Sequence, residues 1–177
     1  NIGIQAARGN VICFLDADCI ADPDWLLSLA EALEQESVNV VGGSVRFVVD
    51  NYWTLCDNLG WFYRSLESKS PGERDILPTL NLCVDRRVIN EVGELNPHYP
   101  KAAGEDAEWT TRMRQAGYRL LFIPHAIVEH RPERANFRDI WRHAYNYGRY
   151  SAKLKPEFFK FLSTPLIFRR WWALLLA

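Results

Sequence analysis

Two carboxylates two positions apart, in Phe14-Leu15-Asp16-Ala17-Asp18, directly follow five consecutive apolar residues, Val11 to Leu15. In an extended segment, side chains at i and i+2 point the same way, so both acids approach one hard cation. Mg2+ or Mn2+ held by one or two carboxylates and by substrate phosphates is the usual arrangement in nucleotide chemistry. The position suits that reading, because open α/β sheets bind ligands at the carboxyl ends of their strands. Acids at strand ends are also common turn residues, and the triplet alone leaves that alternative open. A second acidic group, Gly104-Glu105-Asp106, enters a helix. An acid there is a cap or dipole partner or, in a cleft, a general base toward a hydroxyl. The third feature is Val128-Glu129-His130, a histidine just after a strand. A lone histidine is usually a packed or solvent-facing residue, but beside two aspartates it becomes a third metal ligand.

The elements that must position these groups are read from the hydrophobic pattern. The run Val11 to Leu15, bounded by Gly9-Asn10 and Asp16, predicts a strand buried on both faces, as in a parallel sheet covered by helices. Asp22-Pro23 opens a helix whose apolar face is Leu26, Leu29, Ala30 and Leu33. A strand is expected over Val38 to Val49, broken by Gly42-Gly43, and a helix from about Trp53 to Leu66. Pro71-Gly72 marks an exposed loop, Leu80 to Val84 a short strand, and Arg86 to Val92 a short helix stopped by Gly93. The helix after Gly104 puts Trp109, Met113 and Ala116 on one face, carries Arg112 and Arg114 in its last turns, and stops at Gly117. Arg119 to Ile123 and Ala126 to Glu129 read as two strands hinged at Pro124.

Composition bounds what such a fold can serve. The chain has 177 residues, 48% hydrophobic and 24% charged, so it is globular rather than disordered or repetitive. Lysine and arginine (21) nearly balance aspartate and glutamate (22), which removes the basic surface of a nucleic-acid binder. Cys13, Cys19, Cys56 and Cys83 form no CxxC pair and no zinc-ligand spacing. Cys13 and Cys83 lie in apolar runs and are expected as buried thiols, in a reducing, cytoplasmic compartment.

From Phe137 onward the character changes, giving a body over residues 1–136 and a helical, aromatic-rich extension over 137–177. Phe137, Trp141 and Tyr145 recur at helical spacing among Arg138, Arg142 and Arg149. The run Trp171 to Ala177 falls far short of the ~20 apolar residues of a membrane span. Aromatics beside arginines suit a segment lying in a membrane interface, and a helix docked on the core is the other reading.

The ordered set resembles a family-2 glycosyltransferase of the GT-A fold. The resemblance begins with Asn1-x-Gly3, passes through Ala6-Ala7-Arg8-Gly9 and Phe14 to Asp18, and continues with Asn81, Arg86-Arg87 and Val92-Gly93-Glu94-Leu95. It closes with Gly104-Glu105-Asp106, Arg112, Gly117-Tyr118, Pro124 and His130, and spans roughly residues 1–149. It implies an α/β, Rossmann-like, mostly parallel sheet flanked by helices. It also implies inverting, hexosyltransferase-type transfer from a nucleotide-diphosphate sugar, UDP-linked at family level, to an acceptor hydroxyl of a saccharide or lipid-linked acceptor. The setting would be cell-surface or extracellular polysaccharide or glycolipid synthesis, at the inner face of a membrane.

By the same resemblance, Asp16 and Asp18 are the DxD pair, Asp18 and His130 hold a divalent Mn2+ or Mg2+, and Asp16 lies nearer the ribose or diphosphate. Asp106 is the catalytic base and Glu105 shapes the acceptor site. Asn1, Gly3 and Arg8 flank the nucleotide, and Asn81 lines the donor-sugar and acceptor pocket. The family's first βαβ segments would precede Asn1, so the donor pocket is expected to be incomplete here. The QxxRW motif of processive synthases is absent, and Asp139-Ile140-Trp141-Arg142 does not fit it, which favours single-sugar addition. Arg142 and Arg149 are candidates for a diphosphate or lipid-phosphate contact and equally for a solvated helix face. The competing functions are a sugar nucleotidyltransferase, which would need a glycine- and lysine-rich phosphate loop not seen here, and a non-catalytic membrane-associated scaffold.

Overall fold

The computed structural model describes residues 1–49, 51–99 and 103–151. Among them the chain runs α1 (Ile2–Ala6), β1 (Val11–Leu15), β2 (Cys19–Ala21), α2 (Trp25–Gln35), β3 (Val40–Phe47) and α3 (Tyr52–Phe62). It continues with β4 (Gly72–Glu73), β5 (Asn81–Asp85), α4 (Arg86–Val92), α5 (Glu105–Gln115), β6 (Leu120–His130) and α6 (Phe137–Ser151). The end of the extension, 152–177, lies outside the described residues.

The six strands form one sheet in the order β1-β5-β3-β6-β2, with β4 also paired to β6. Neighbouring residues on a strand point to opposite faces, and the core divides accordingly. Val40, Leu82, Leu120 and Phe122 pack with Trp109 and Met113 of α5 and Val88 and Ile89 of α4. Val41, Cys83 and Leu121 turn the other way, against Leu29 and Ala32 of α2. The result is the expected sheet with helices on both faces.

Its strand directions correct the expectation of a mostly parallel sheet. Only β3 and β6 run parallel; β1–β5, β3–β5, β2–β6 and β4–β6 are all antiparallel. An unbroken apolar run reports burial on both faces, and a central antiparallel strand such as β5 has that burial as fully as a parallel one. Nor is β1 buried throughout. It borders the described sheet, with Val11 and Leu15 exposed.

Three other boundaries move. The buried face of α2 is Ser28, Leu29 and Ala32 with Trp25 and Leu33 beside them, while Leu26 and Ala30 are exposed. The helix of about Trp53 to Leu66 ends at Phe62 and tightens into a 3-10 turn over Tyr63–Ser65. The two strands hinged at Pro124 are one strand, β6, which crosses the proline by shifting register against β3 between Gly42 and Ser44. A proline has no N–H to give to a ladder, so the shift lets the chain pass it. The thiols of Cys13 and Cys83 meet across β1 and β5 at 2.8 Å, Cys83 buried and Cys13 half-buried.

One buried side chain stitches the register shift. Asn81 donates through Nδ2 to the carbonyls of Ser44 (2.9 Å) and Ala126 (2.8 Å), and its Oδ1 accepts from Trp25 Nε1 (2.8 Å). Gly43 leaves the room for it, since a Cβ there would lie 2.1 Å from the Ala126 carbonyl oxygen. Asn81→Leu orphans three buried polar groups at roughly 1–3 kcal/mol each. Urea unfolding is therefore expected to show a loss of at least ~3 kcal/mol. A fully stable variant would remove Asn81 from this framework role.

Candidate active site

The candidate metal-ligating side chains Asp18 and His130 meet because a tight turn delivers the second aspartate to the far edge of the sheet. After β1, the Cys19 amide donates to the Asp16 carbonyl (3.0 Å) and the chain enters β2. There Cys19 stands opposite His130 in the antiparallel register, and the Arg131 amide donates to the Asp18 carbonyl (2.8 Å). Asp18 Oδ2 and His130 Nε2 consequently lie 3.5 Å apart. The Cys19 sulfur joins them, with the three potential ligand atoms all within 4.8 Å of one another.

The imidazole is held from behind by α3. Asn58 is fully buried and its Oδ1 lies 2.6 Å from His130 Nδ1, while Phe62 meets the ring edge-on at 5.0 Å. With the amide oxygen facing the ring, Nδ1 carries the proton and Nε2 presents its lone pair toward Asp18, the tautomer a metal ligand needs. Burial lowers the His130 pKa, against the opposing pull of Asp18 and Asp57, so the ring is neutral at neutral pH. An exposed carboxylate and a neutral imidazole form a donor set that fits a divalent ion, Mn2+ better than Mg2+, which prefers oxygen ligands. The Cys19 thiol, by contrast, is pushed up to about 12 by burial and by Asp18 and Asp16. A protonated thiol is a poor ligand for such hard ions.

The second half of the site is a cavity of about 320 Å³ beside the end of β1. Asn1, Asp16, Thr79, Asn96, Tyr99 and Glu105 line it. One wall is the turn after α4, which α5 grips: Trp109 Nε1 donates to the Gly93 carbonyl, and Arg112 donates to the carbonyls of Val92 and Glu94 while paired with Glu108. Asn1 Nδ2 ties the same turn to the start of the chain through the Leu95 carbonyl (2.7 Å).

Carboxylates crowd here at the N-terminus of α5, which starts after Gly104 in a left-handed conformation. Burial and the adjacent Glu105 push the Asp106 carboxyl up to about 7, with Asp16 adding to the repulsion. Asp16 is itself raised, first by burial and then by Asp18 and Glu105. Glu105 accepts from the Ala103 amide (2.5 Å) and Asp106 from the Ala107 amide (2.7 Å), bonds that hold both acids to the backbone at the helix entry.

Tyr147 of α6 belongs to the same field. Burial first, then Asp106, Glu105 and Asp16, hold its phenol well above the ordinary value, and it packs on Trp61 at 4.1 Å. Asp57 of α3, also buried, accepts from His143 Nδ1 (2.7 Å) and Arg134 Nε (3.0 Å), fastening α6 and the segment after β6 to α3.

Of the residues singled out from the sequence, Asp18 and His130 come together at one end and Asp16, Glu105 and Asn1 share the cavity. Gly3 and Arg8 are exposed on and just after α1. Asn81 is not in the cavity wall, and its polar atoms are spent on Ser44, Ala126 and Trp25. Sequence reading misses Asn58, Asp57, His143 and Tyr147. Asn58 stands 72 positions from the histidine it orients, and no local pattern marks it. Cys19 carries a signal, its position next to Asp18.

Residues 1–74 match the family model described as glycosyl transferase family 2. Glycosyltransferase AglE of Haloferax volcanii is 30% identical over 149 residues, covering 84% of this chain and 48% of that protein. Succinoglycan biosynthesis protein ExoM of Rhizobium meliloti is 27% identical over 161 residues, covering 89% of this chain and 52% of that protein. The chain thus spans about half the length of these two relatives. A solved structure of GalNAc-T7 with UDP, GalNAc and Mn2+ superposes with a TM-score of 0.59 at 21% identity, over 89% of this chain and 34% of that one. Mannosyltransferase PcManGT from Pyrobaculum calidifontis, in complex with GDP-Man and Mn2+, superposes with a TM-score of 0.60 at 19% identity, over 94% and 44%.

If Asn58 sets the imidazole, the wild type shows the Nδ1–H tautomer of His130 in imidazole nitrogen NMR spectra, and Asn58→Asp keeps it. Asn58→Leu is expected to shift the ring toward Nε2–H and weaken Mn2+ binding by about 10- to 100-fold in calorimetry. An unchanged tautomer in Asn58→Leu would refute the assignment.

Proposed function

We propose that this chain, which belongs to the family-2 glycosyltransferases and has their GT-A fold, is the catalytic part of an inverting, metal-dependent enzyme. It moves a sugar from a nucleotide-diphosphate donor, UDP-linked, to an acceptor hydroxyl. The observation that carries this reading is the placement of Asp18 3.5 Å from His130, with Glu105 and Asp106 in the first turn of α5. There burial and Glu105 raise the Asp106 carboxyl to about 7. A general base works best when its pKa lies near the operating pH, and that is where burial and like charge put Asp106.

In the step, the acceptor oxygen forms a bond to the anomeric carbon from the face opposite the diphosphate. Its proton passes to an Asp106 Oδ. The bond from the anomeric carbon to the diphosphate oxygen breaks, and its electron pair leaves with the nucleoside diphosphate. Asp18 and His130 would hold a divalent metal, which when bound would supply neutralisation of the charge on that leaving group. Glu105, anchored on the Ala103 amide, faces the cavity and shapes the acceptor side. Asp16 sits between cavity and metal end, where a ribose or diphosphate is reached, and Asn1, Gly3 and Arg8 flank the nucleotide.

The ligands named for the solved neighbours, UDP with Mn2+ and GDP-Man with Mn2+, support a nucleotide-sugar donor and a divalent ion. The name of ExoM supports a role in polysaccharide synthesis. The acceptor we propose is a saccharide or a lipid-linked one at the cytoplasmic face of a membrane.

Binding of UDP is expected to require Mn2+ and to be lost in Asp18→Asn. Asp106→Asn should abolish transfer, at least ~100-fold, while leaving UDP affinity nearly unchanged. Equal loss of affinity in that variant would argue against a base. The pH dependence has a definite sign. Asp106 accepts a proton only when ionised, so kcat/KM falls as pH drops through about 7. Its raised pKa also means the folded state holds that proton more tightly than the unfolded state. The associated stability is present below the ordinary carboxylate range and lost as pH rises through about 7. Above pH 7, Asp106→Asn should therefore melt higher than the wild type, on the order of 2–4 °C per kcal/mol gained.

A further inference from the structure

Helix α6 turns one face inward and leaves most of the other exposed, with Phe137 at its start meeting Trp53 of α3 edge-on at 6.1 Å. Its inner face is tied to α3 by His143 on Asp57 (2.7 Å) and by Tyr147 on Trp61 (4.1 Å). On the outer face Phe137, Trp141 and Tyr145 recur at four-residue spacing, each more than half exposed (59%, 62% and 58%). Phe137 and Trp141 stack along the helix at 6.1 Å. Arg138 and Arg142 flank them, and with Trp141 and Tyr145 they line a shallow groove of about 270 Å³. Arg142 is 62% exposed, with Asp139 at 4.0 Å as its ion-pair partner.

Charge along the chain is segregated in the same direction. Residues 137–177 contain eight lysines and arginines against two acids, whereas residues 1–136 contain thirteen against twenty. The near-neutral whole is thus an acidic body joined to a basic end. The basic end holds Phe158, Phe159, Phe161, Phe168, Trp171 and Trp172 in sequence. Aromatic rings interleaved with arginines on one side of a polar helix are the chemistry of the lipid headgroup boundary. An acidic body is repelled by an anionic surface while the basic end is drawn to it, which sets an orientation as well as an affinity. No helix among the described residues is long and apolar enough to cross a membrane, so α6 would lie along the surface.

We infer that the outer face of α6, built on Phe137, Trp141 and Tyr145 with Arg138 and Arg142, docks this protein on an anionic bilayer. The inference deepens the functional reading by giving the acceptor a source, a lipid surface beside the site. It is tested without donor or acceptor, so its failure and the failure of the catalytic reading are distinguishable.

The experiment is co-sedimentation of the full chain with vesicles of phosphatidylcholine alone and of phosphatidylcholine with roughly 30% phosphatidylglycerol, at low and high salt. Binding is expected to the anionic vesicles, weakened by salt, and at least ~10-fold weaker to neutral ones. Arg138→Glu with Arg142→Glu, and separately Trp141→Ser with Tyr145→Ser, should each lower anionic-vesicle binding by at least ~10-fold. All four side chains are exposed, and an unchanged unfolding transition in each double variant confirms that the fold is kept. Wild-type affinity in both double variants would overturn the proposal, as would equal binding to neutral vesicles. Absence of binding to the anionic vesicles by the wild type would also overturn it.

Discussion

Strand β6 is hydrogen-bonded to β3, β2 and β4, and its last residue is His130. The short antiparallel pairing with β2 puts Cys19 opposite that histidine and thereby brings Asp18 within 3.5 Å of its Nε2. A shift by one residue would turn Cys19 and the ladder around it to the other face. The register is set upstream, where β6 passes Pro124 and Asn81 takes up the carbonyls of Ser44 and Ala126. The buried Asn81 amide, satisfied at both ends, thus braces the strand that ends at His130 without touching that residue.

The site separates two chemistries that would interfere if merged. At one end a neutral imidazole and an exposed carboxylate are arranged to hold a cation. At the other, Asp16 and Glu105 line one cavity and, together with burial, raise the cost of ionising Asp106 at the start of α5. The backbone amides at the start of α5 limit that cost without removing it. A carboxyl balanced near neutrality is the outcome of those opposing contributions. Arg112 and Trp109 keep the balance in place, since they fix the turn that closes the cavity.

Behind the site, α3 serves both ends at once. Asn58 faces His130 and its neighbour Asp57 faces His143 and Arg134, so consecutive residues of one helix hold the imidazole and the docking of α6. Tyr147 of α6 in turn feels the charges of Asp106, Glu105 and Asp16. The helix that carries the outward aromatic and arginine face is therefore packed on the same helix whose Asn58 faces His130.

Much of this is legible from residue types. Asp16, Asp18, Asp106 and His130 are marked by their immediate neighbours in the chain: an apolar strand, a glycine at a helix start, a strand end. Gly93 and Gly117 stop their helices at positive φ, as their placement implies. These are local properties, decided by chain conformation within a few residues. Strand direction is not local, and the apolar runs of β1 and β5 look alike whether neighbours run parallel or antiparallel. The role of Asn81 is equally hidden, because a polar residue at a strand start reads the same whether it lines a pocket or binds buried carbonyls. Asn58 and Asp57 matter through partners 72 and 86 positions away, and Tyr147 through the distant Trp61 and Asp106. Residue types and their spacing therefore establish which groups are able to bind a cation and take a proton. Which of those groups meet is settled in the folded chain, because register, burial and long-range hydrogen bonds arise only when distant segments close on one another.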